Sequence, residues 1–280
     1  MAQSITTAFV DLFESEVKQA YQSEALLRGT MRSRTGVQGN TVKFPKIGKG
    51  VATVRVPQTD ITPLNVTYSQ VTATMSDFIA AEYSDIFQQS HVNFDERREL
   101  VEVVSKSIAR RSDQVCLDAL TAATSTGTVA NSIGGSNTDM NIEKLRETAR
   151  ILNTKNVPAE GRTLVMHAEQ LDSLLGTTQV TSSDFNSVQA LVRGEINTFL
   201  GFDIIVMGDR DEGGLAKDGS NDRTVFAYHR DALGYAESIA QKTEVNYIPE
   251  KTSFLVSSMF SAGSVAIDSD GIVKITCRES

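Results

Sequence analysis

The chain contains few of the residues that support catalysis, disulfide bonding or membrane insertion. Its 280 residues include no tryptophan, two cysteines and three histidines. Two cysteines cannot form a disulfide framework, and this count fits synthesis in a reducing, intracellular compartment. No apolar run approaches the roughly 20 residues that span a membrane, and the N-terminus lacks the basic and apolar blocks of a secretory signal. We therefore expect no contact with a membrane.

The common motifs of enzymes and cofactor-binding proteins are also absent from the sequence. There is neither a phosphate-binding GxxxxGK[ST] loop nor a GxSxG nucleophile elbow. The histidines form no HExxH motif, and neither cysteine has a partner at the spacing of a metal site. The acidic stretch from Asp209 to Asp222 fails the calcium-loop template, because Gly213 stands where the template requires a ligand. We predict no enzymatic activity, no cofactor and no bound metal.

What the sequence does contain is a long amphipathic helix, predicted from Asn93 to Thr124. About thirty residues at roughly 1.5 Å each give a rod of about 45 Å, which is long enough to cross a whole domain. Asn93 is a suitable N-cap. Apolar side chains recur at helical steps of three, four and seven residues, and they form one stripe: Val101, Val104, Ile108, Val115 and Ala119.

Charge is distributed unevenly along the chain, whose formal net charge is -8. From Arg28 to Thr59 there are seven bases and no acid, which leaves 20 bases against 35 acids elsewhere. A basic segment on an acidic body indicates docking on an acidic copy of the same protein. The alternative is that these bases bind the phosphates of a nucleic acid. However, Phe44 is the only aromatic residue between Arg28 and Thr59 that could stack on bases.

The N-terminal third of the sequence predicts a helix followed by a projecting hairpin. Residues 4–28 follow helical periodicity, and the helix docks either on its own domain or on a neighbouring subunit. The segments TVKFP, GVATVRVP and LNVTYSQVTATM predict strands, with a tip between Pro57 and Pro63. An isolated hairpin is marginal in water, so we expect it to lie on another surface. The predicted inter-subunit contact residues are Lys43, Lys46, Lys49, Arg55, Phe9 and Phe13.

The remainder of the chain alternates helices and strands without a regular βαβ order. A polar, glycine-rich joint follows Gly127, and residues 141–154 predict a second helix. Strands and short helices then follow as far as residue 245. The tail from Thr252 predicts three short strands, with Ser269, Asp270 and Gly271 in the final turn. This order predicts an α+β fold.

Several segments resemble the major capsid proteins of tailed bacteriophages of the Hong Kong 97 type. The matching segments are RTLVMHAEQLDSLL, GEINTFLGFDIIVM, TVFAYHRDALGYA and GSVAIDSDGIVKI, and the order of elements agrees along nearly the whole chain. The resemblance implies an N-terminal arm at 1–40, an extended loop at 41–77 and an axial domain at 129–245. The peripheral domain, which contains the long spine helix, would comprise residues 78–128 and 246–280.

The resemblance also implies a function and partners. Copies of the chain would associate as pentamers and hexamers into an icosahedral head shell that encloses double-stranded DNA. The shell would assemble in the host bacterial cytoplasm and become part of the virion. Because the chain begins almost directly at the arm, a separate scaffolding protein is expected, together with a portal. Two alternatives remain open: an encapsulin-like compartment that encloses cargo enzyme, and a nucleic-acid-processing enzyme with a basic arm.

Overall fold

The computed structural model describes residues 24–61, 63–91, 95–176, 198–210 and 212–279. Within them lie twelve strands and four α-helices. None of these helices is long and apolar enough to cross a bilayer. The helices are α1 (Ile86–Gln89), α2 (Glu96–Ala122), α3 (Ile142–Thr154) and α4 (Ala168–Gly176). The strands are β1 (Arg32–Arg34), β2 (Thr41–Ile47), β3 (Tyr68–Thr74), β4 (Ser76–Asp85), β5 (Gly127–Val129), β6 (Arg162–His167), β7 (Thr198–Phe199), β8 (Phe202–Met207), β9 (Asp222–His229), β10 (Leu233–Ile248), β11 (Ser253–Ala266) and β12 (Ile272–Arg278).

The strands form two sheets and a separate hairpin. The four-stranded sheet has the order β1-β10-β11-β4, and the six-stranded sheet has the order β5-β12-β9-β6-β8-β7. The antiparallel hairpin consists of β2 and β3. Both sheets mix parallel and antiparallel pairs, because β1 runs parallel to β10 and β6 runs parallel to β8. This mixture of separate helices and mixed sheets confirms the predicted α+β class.

The long helix α2 lies across the four-stranded sheet, chiefly against β11. Val104 and Ile108 are buried, as the predicted stripe requires, and the helix ends at Ala122, close to the predicted Thr124. Asn93, the predicted N-cap, lies outside the described residues. Arginine guanidinium groups of α2 cover aromatic rings of the sheet, with Arg97 over Phe254 and Arg111 over Phe78.

One main core joins both sheets to the helices. Its central side chains come from α2, α3, β9 and β11, and a close backbone approach at Gly263 brings β11 against the end of β3. A Cβ atom at Gly263 would lie 2.2 Å from the carbonyl oxygen of Thr74, so only glycine fits there. The predicted helix at 141–154 is α3, and the Asn141 side chain caps it by accepting from the Lys144 backbone N–H at 2.8 Å.

Some local predictions were wrong. The predicted helix 4–28 does not continue through Leu26 and Leu27, because their backbone N–H groups bond to a side chain of α2. Most of that helix lies outside the described residues. The predicted strand at residues 50–57 is not formed, and these residues pair with no described strand. The tail forms two strands rather than three, since β11 runs unbroken for 14 residues.

Candidate subunit-contact surfaces

The hairpin of β2 and β3 is attached to the body through a small core of its own. Val42 and Phe44 on β2 and Ala73 on β3 are buried against Ala236 and Ile267. The Phe44 ring lies directly over Gly234 of β10, where a Cβ atom would come within 2.8 Å of two ring atoms. The root of the hairpin therefore has a fixed position on its own chain, and only the part beyond it projects.

The projecting part, residues 47–61 and 63–68, which we call the distal loop, exposes an unusual number of apolar side chains. The two ends of this loop stay adjacent near the root, because the Gly48 N–H donates to the Thr67 carbonyl at 2.8 Å. Beyond that bond the side chain of Val54 is 93 % exposed and that of Ile61 is 90 % exposed. The exposed large apolar residues are Ile47, Val51, Val54, Val56, Ile61, Leu64 and Tyr68. This many exposed large apolar side chains on one projecting segment indicate an interaction site.

The predicted basic contact residues occupy two different environments. Lys46 forms an ion pair of 2.7 Å with Asp268, on a turn of the same chain that also contains Asp270. Asp270 pairs with Lys155 at 2.7 Å, and this hydrogen bond, aided by the charges of Lys49 and Lys46, outweighs burial and lowers the pKa of Asp270. These contacts place Lys46 and Lys49 beside acids of their own subunit.

The other two predicted bases have no acidic partner in the described part of the chain. Lys43 is exposed on β2, and Arg55 is exposed on the distal loop. Among the described residues, neither forms an ion pair within 4.0 Å. The structure therefore brings Lys46 and Lys49 together at the acidic turn and leaves Lys43 and Arg55 on open surface. Phe9 and Phe13 lie outside the described residues, so their predicted role stays a prediction.

The described end of the N-terminal arm is fastened to the body by a buried carboxylate. Asp113 of α2 is fully buried, and it accepts from the backbone N–H groups of Leu26 and Leu27 at 3.0–3.1 Å. Arg210 donates to the same carboxylate at 2.9 Å. Burial raises the pKa of Asp113, although the three donors oppose that shift. Farther along the arm, Thr30 shares a hydrogen bond of 2.6 Å with the buried Tyr228.

A second buried ionic cluster holds the C-terminal end of the described chain. Glu279 is buried and receives donors from Arg223, Gln170 and Lys217. Burial acts to raise its pKa, but these hydrogen bonds outweigh burial and lower the pKa to about 2. The Glu279 carboxylate is therefore ionised at neutral pH.

The same cluster contains the group of side chains that comes closest to a metal site among the described residues. Ligand atoms of His167, Glu169 and Glu279 lie within 4.8 Å of one another. Two cations already neutralise Glu279, and Nδ1 of His167 accepts from the Glu169 backbone N–H at 3.3 Å. These bonds occupy Nδ1 of His167 and both carboxylate oxygens of Glu279, so the arrangement fits a structural anchor better than a metal centre.

The two cysteines are equally unsuited to chemistry. Both are buried, and burial raises the pKa of Cys277 to about 12 and that of Cys116 further. A thiol that stays protonated is a poor nucleophile and a poor metal ligand.

The buried charges Asp113, Arg210 and Glu279 were not singled out in the sequence. For Asp113 a signal existed, because it falls within the buried stripe of α2, between Ile108 and Cys116. A charged residue in such a stripe needs a partner. The partner itself could not be identified, since Arg210 is 97 residues away.

Comparisons with known proteins agree with this architecture. The family model described as phage capsid protein matches residues 5–279. No curated protein sequence matches the chain. Among solved structures, the capsid of Cyanophage P-SCSP1u is similar, with a TM-score of 0.77 and 16 % identity over 98 % of this chain and 94 % of that one.

Two further structures share the fold at similarly low identity. Mycobacterium phage Che8 gives a TM-score of 0.72 with 17 % identity, over 97 % of this chain and 98 % of that one. The head structure of Helicobacter pylori bacteriophage KHP40 gives 0.73 with 11 % identity, over 95 % of both chains. Because the family model covers almost every residue, the chain belongs to the phage capsid protein family and is a structural component of a phage head shell.

Proposed function

We propose that this protein is the major capsid subunit of a tailed phage with a Hong Kong 97-type fold, and that many copies assemble into an icosahedral shell around double-stranded DNA. In this assignment residues 1–40 form the arm, 41–77 the extended loop and 129–245 the axial domain. Residues 78–128 and 246–280 form the peripheral domain, with α2 as its spine helix. The shell would consist of pentamers and hexamers, built with a separate scaffolding protein and a portal.

The observation that carries this proposal is the distal loop. Its apolar side chains have no partner among the described residues of the subunit, whereas its root is firmly packed. A rigid root that carries an exposed apolar tip is suited to reach a neighbouring copy. Head-to-tail contacts of this kind generate rings when the rotation closes. Weak contacts repeated in a closed shell give high overall stability.

The negative charge of the chain outside residues 28–59 fits a shell that does not bind DNA tightly. With seven bases confined to residues 28–59, the rest of the chain has a net charge of -15. Such a body repels DNA mildly, so packaged DNA would remain free to leave the shell.

Sedimentation velocity and electron microscopy of the purified chain test the proposal directly. We expect rings, capsomers or shells that sediment far faster than the 30.4 kDa subunit, with or without added scaffolding protein. A single species of subunit mass at all protein and salt concentrations, including with scaffolding protein, would contradict the proposal. Shells that copurify with an enzyme and never with DNA during infection would instead favour a cargo compartment.

A further inference from the structure

The four-stranded sheet ends in an unusually open edge at β4. This strand is ten residues long and pairs with β11 on one side, in a register that runs without interruption from Ser76 to Asp85. No described strand pairs with its other side. An unpaired row of backbone donors and acceptors is a template for a strand from another chain.

The side chain of Glu82 identifies which backbone groups face the open edge. Its Oε1 accepts from the Tyr83 N–H at 3.2 Å, so this N–H points away from β11. Because backbone groups alternate along a strand, those of Asp77, Ile79 and Ala81 point the same way as those of Tyr83. All four residues are exposed.

Most of the usual protections of an edge strand are missing from β4. Natural edge strands are shortened, bulged or given lysine or proline residues, which prevent unwanted pairing. β1, at the opposite edge of the sheet, has three residues, two of them arginine. The stretch of β10 beyond β1 contains two register shifts and Lys242. β4 has none of these features and contains three acids without a base.

Residues 51–56 of the distal loop have the composition of a strand but no partner to pair with. The sequence VATVRV is rich in β-branched residues, which favour strands. All six residues are exposed, and none forms a ladder within the described chain. Agreement between local preference and structure is the rule in natural proteins, so this disagreement points to a partner outside the subunit.

We propose that residues 51–56 of one subunit add as a fifth strand to the four-stranded sheet of a neighbouring subunit, along the open edge of β4. This inference rests on the proposed function and identifies the surface that the distal loop contacts. Strand addition supplies affinity through backbone hydrogen bonds and specificity through alternate side chains. The exposed Ile79 and Tyr83 on β4 would then pair with valines of the incoming strand.

Charge favours the edge of β4 over the open stretch of β10. The incoming segment contains Arg55 and follows Lys49, with no acid from residue 28 to residue 59. The edge of β4 presents Asp77, Glu82 and Asp85. On β10 the charge is mixed, because Lys242 pairs with Glu244. A basic strand therefore gains more complementary charge at β4 than at β10, and opposite charges across a strand pair are favourable.

Two substitutions at Ala81 separate backbone pairing from side-chain packing. Ala81→Pro removes an outward N–H, which no described residue uses within the subunit, and proline is tolerated at such edge positions. Ala81→Val keeps that N–H and adds bulk at the same place. We expect both variants to fold, with wild-type circular dichroism, and only Ala81→Pro to assemble poorly. Its contact should weaken by about fivefold or more, the equivalent of one net hydrogen bond.

Cysteine cross-linking between two subunits gives a readout that does not depend on the proline variant. Ala81→Cys subunits are mixed before assembly with subunits in which Ala52, Thr53, Val54 or Arg55 is changed to cysteine. The native cysteines are buried, so they will not interfere. We expect oxidised shells to contain linked dimers whose yield alternates along the loop, and Glu244→Cys on β10, as matched control, to form none.

The outcomes distinguish this inference from the proposed function. Shells that form equally well from Ala81→Pro, or that cross-link only through Glu244→Cys, would overturn the strand addition and leave the capsid assignment intact. A wild-type protein that forms no oligomer under any condition would overturn both.

Discussion

Arg210 donates to Asp113 across 2.9 Å, and this buried ion pair ties the middle of α2 to the loop that follows β8. The same carboxylate also holds the arm through the backbone N–H groups of Leu26 and Leu27. One side chain therefore joins three segments that are far apart in the sequence. Asp113 therefore helps to fix the point at which the arm leaves the body, together with the hydrogen bond between Thr30 and Tyr228.

Asp113→Ala should be the most damaging single change at this junction. It leaves Arg210, whose side chain is 6 % exposed, as an unpaired buried charge, and removal of one partner of such a pair costs about 3–5 kcal/mol. Urea unfolding of the unassembled subunit measures this loss. Asp118→Ala, an exposed position one and a half turns along the same helix, is the matched control and should change stability by less than about 0.5 kcal/mol. If Asp113→Ala changes the free energy of unfolding as little as Asp118→Ala does, the junction adds no stability.

The burial of α2 is tested by two adjacent valines. Val104 is 5 % exposed and Val103 is 36 % exposed. Val104→Asp places a charge without a partner in the core, so we expect insoluble or unfolded protein. Val103→Asp keeps the charge in contact with water and should remain soluble with a wild-type spectrum. Soluble yield and circular dichroism measure both, and a soluble, assembling Val104→Asp variant would refute the assigned orientation of the helix.

Ile108→Pro should also prevent folding, since it breaks the helix at a cost of about 3 kcal/mol or more.

The parts of the fold that were predicted correctly are those whose local pattern determines their structure. The 3.6-residue periodicity of α2 and the Asn141 cap of α3 need only neighbours within a few residues. β4 was missed because SDFIAAEYSD lacks strict alternation of apolar and polar residues. As an edge strand it buries little on either face, so its composition contains little information about its partner.

The opposite error occurred at residues 51–56, where strong β-propensity predicted a strand that finds no partner in the subunit. The buried ionic anchors could not be predicted either. Glu279 meets Arg223 from 56 residues away, and no spacing rule connects such positions. Long-range pairs of this kind become apparent only when the fold brings the strands β9 and β12 together.

Glu279 should determine part of the acid sensitivity of the subunit. Its folded pKa of about 2 lies below the ordinary value of 4.5, so its ionised form stabilises the fold. That stabilisation is complete above the ordinary pKa and is lost as the pH falls from about 4.5 towards 2, with a slope of up to about 1.4 kcal/mol per pH unit. Glu279→Gln should therefore be less stable at pH 7 and lose less stability across this window than the wild type.

The raised pKa of Asp113 has the opposite effect on the pH dependence of stability. Burial disfavours the ionised carboxylate, so the free energy of unfolding falls as the pH rises through the raised pKa. Denaturant midpoints between pH 2.5 and pH 7 separate the two contributions. Asp172→Asn, on the exposed face of α4, serves as control and should follow the wild-type curve. A wild-type pH profile for Glu279→Gln would mean that the carboxylate does not stabilise the fold.

The basic residues of the loop are tested by charge reversal. Lys43→Glu, Lys46→Glu and Lys49→Glu together should leave the subunit folded, because all three side chains lie outside the main core. Assembly should be weakened, and raised salt should partly restore it, since charges are screened beyond about 10 Å at 0.1 M ionic strength. No single lysine should be essential, because one exposed pair contributes only about 0–1 kcal/mol. Normal assembly of the triple variant at low salt would contradict the proposed role.

Because Lys46 also contacts an acid of its own subunit, this experiment needs a second variant. Reversal at Lys46 also places a negative charge against Asp268 of the same chain, which would repel the hairpin from its own root. Arg55→Glu changes the charge only on the distal loop, far from that turn along the chain. If the loop contacts an acidic neighbour, Arg55→Glu should reduce assembly in a salt-dependent way, as measured by sedimentation at two salt concentrations. If only the variants that include Lys46 assemble poorly, the lysines act within the subunit by fixing the direction of the loop, and the contact between subunits depends on its backbone and valines.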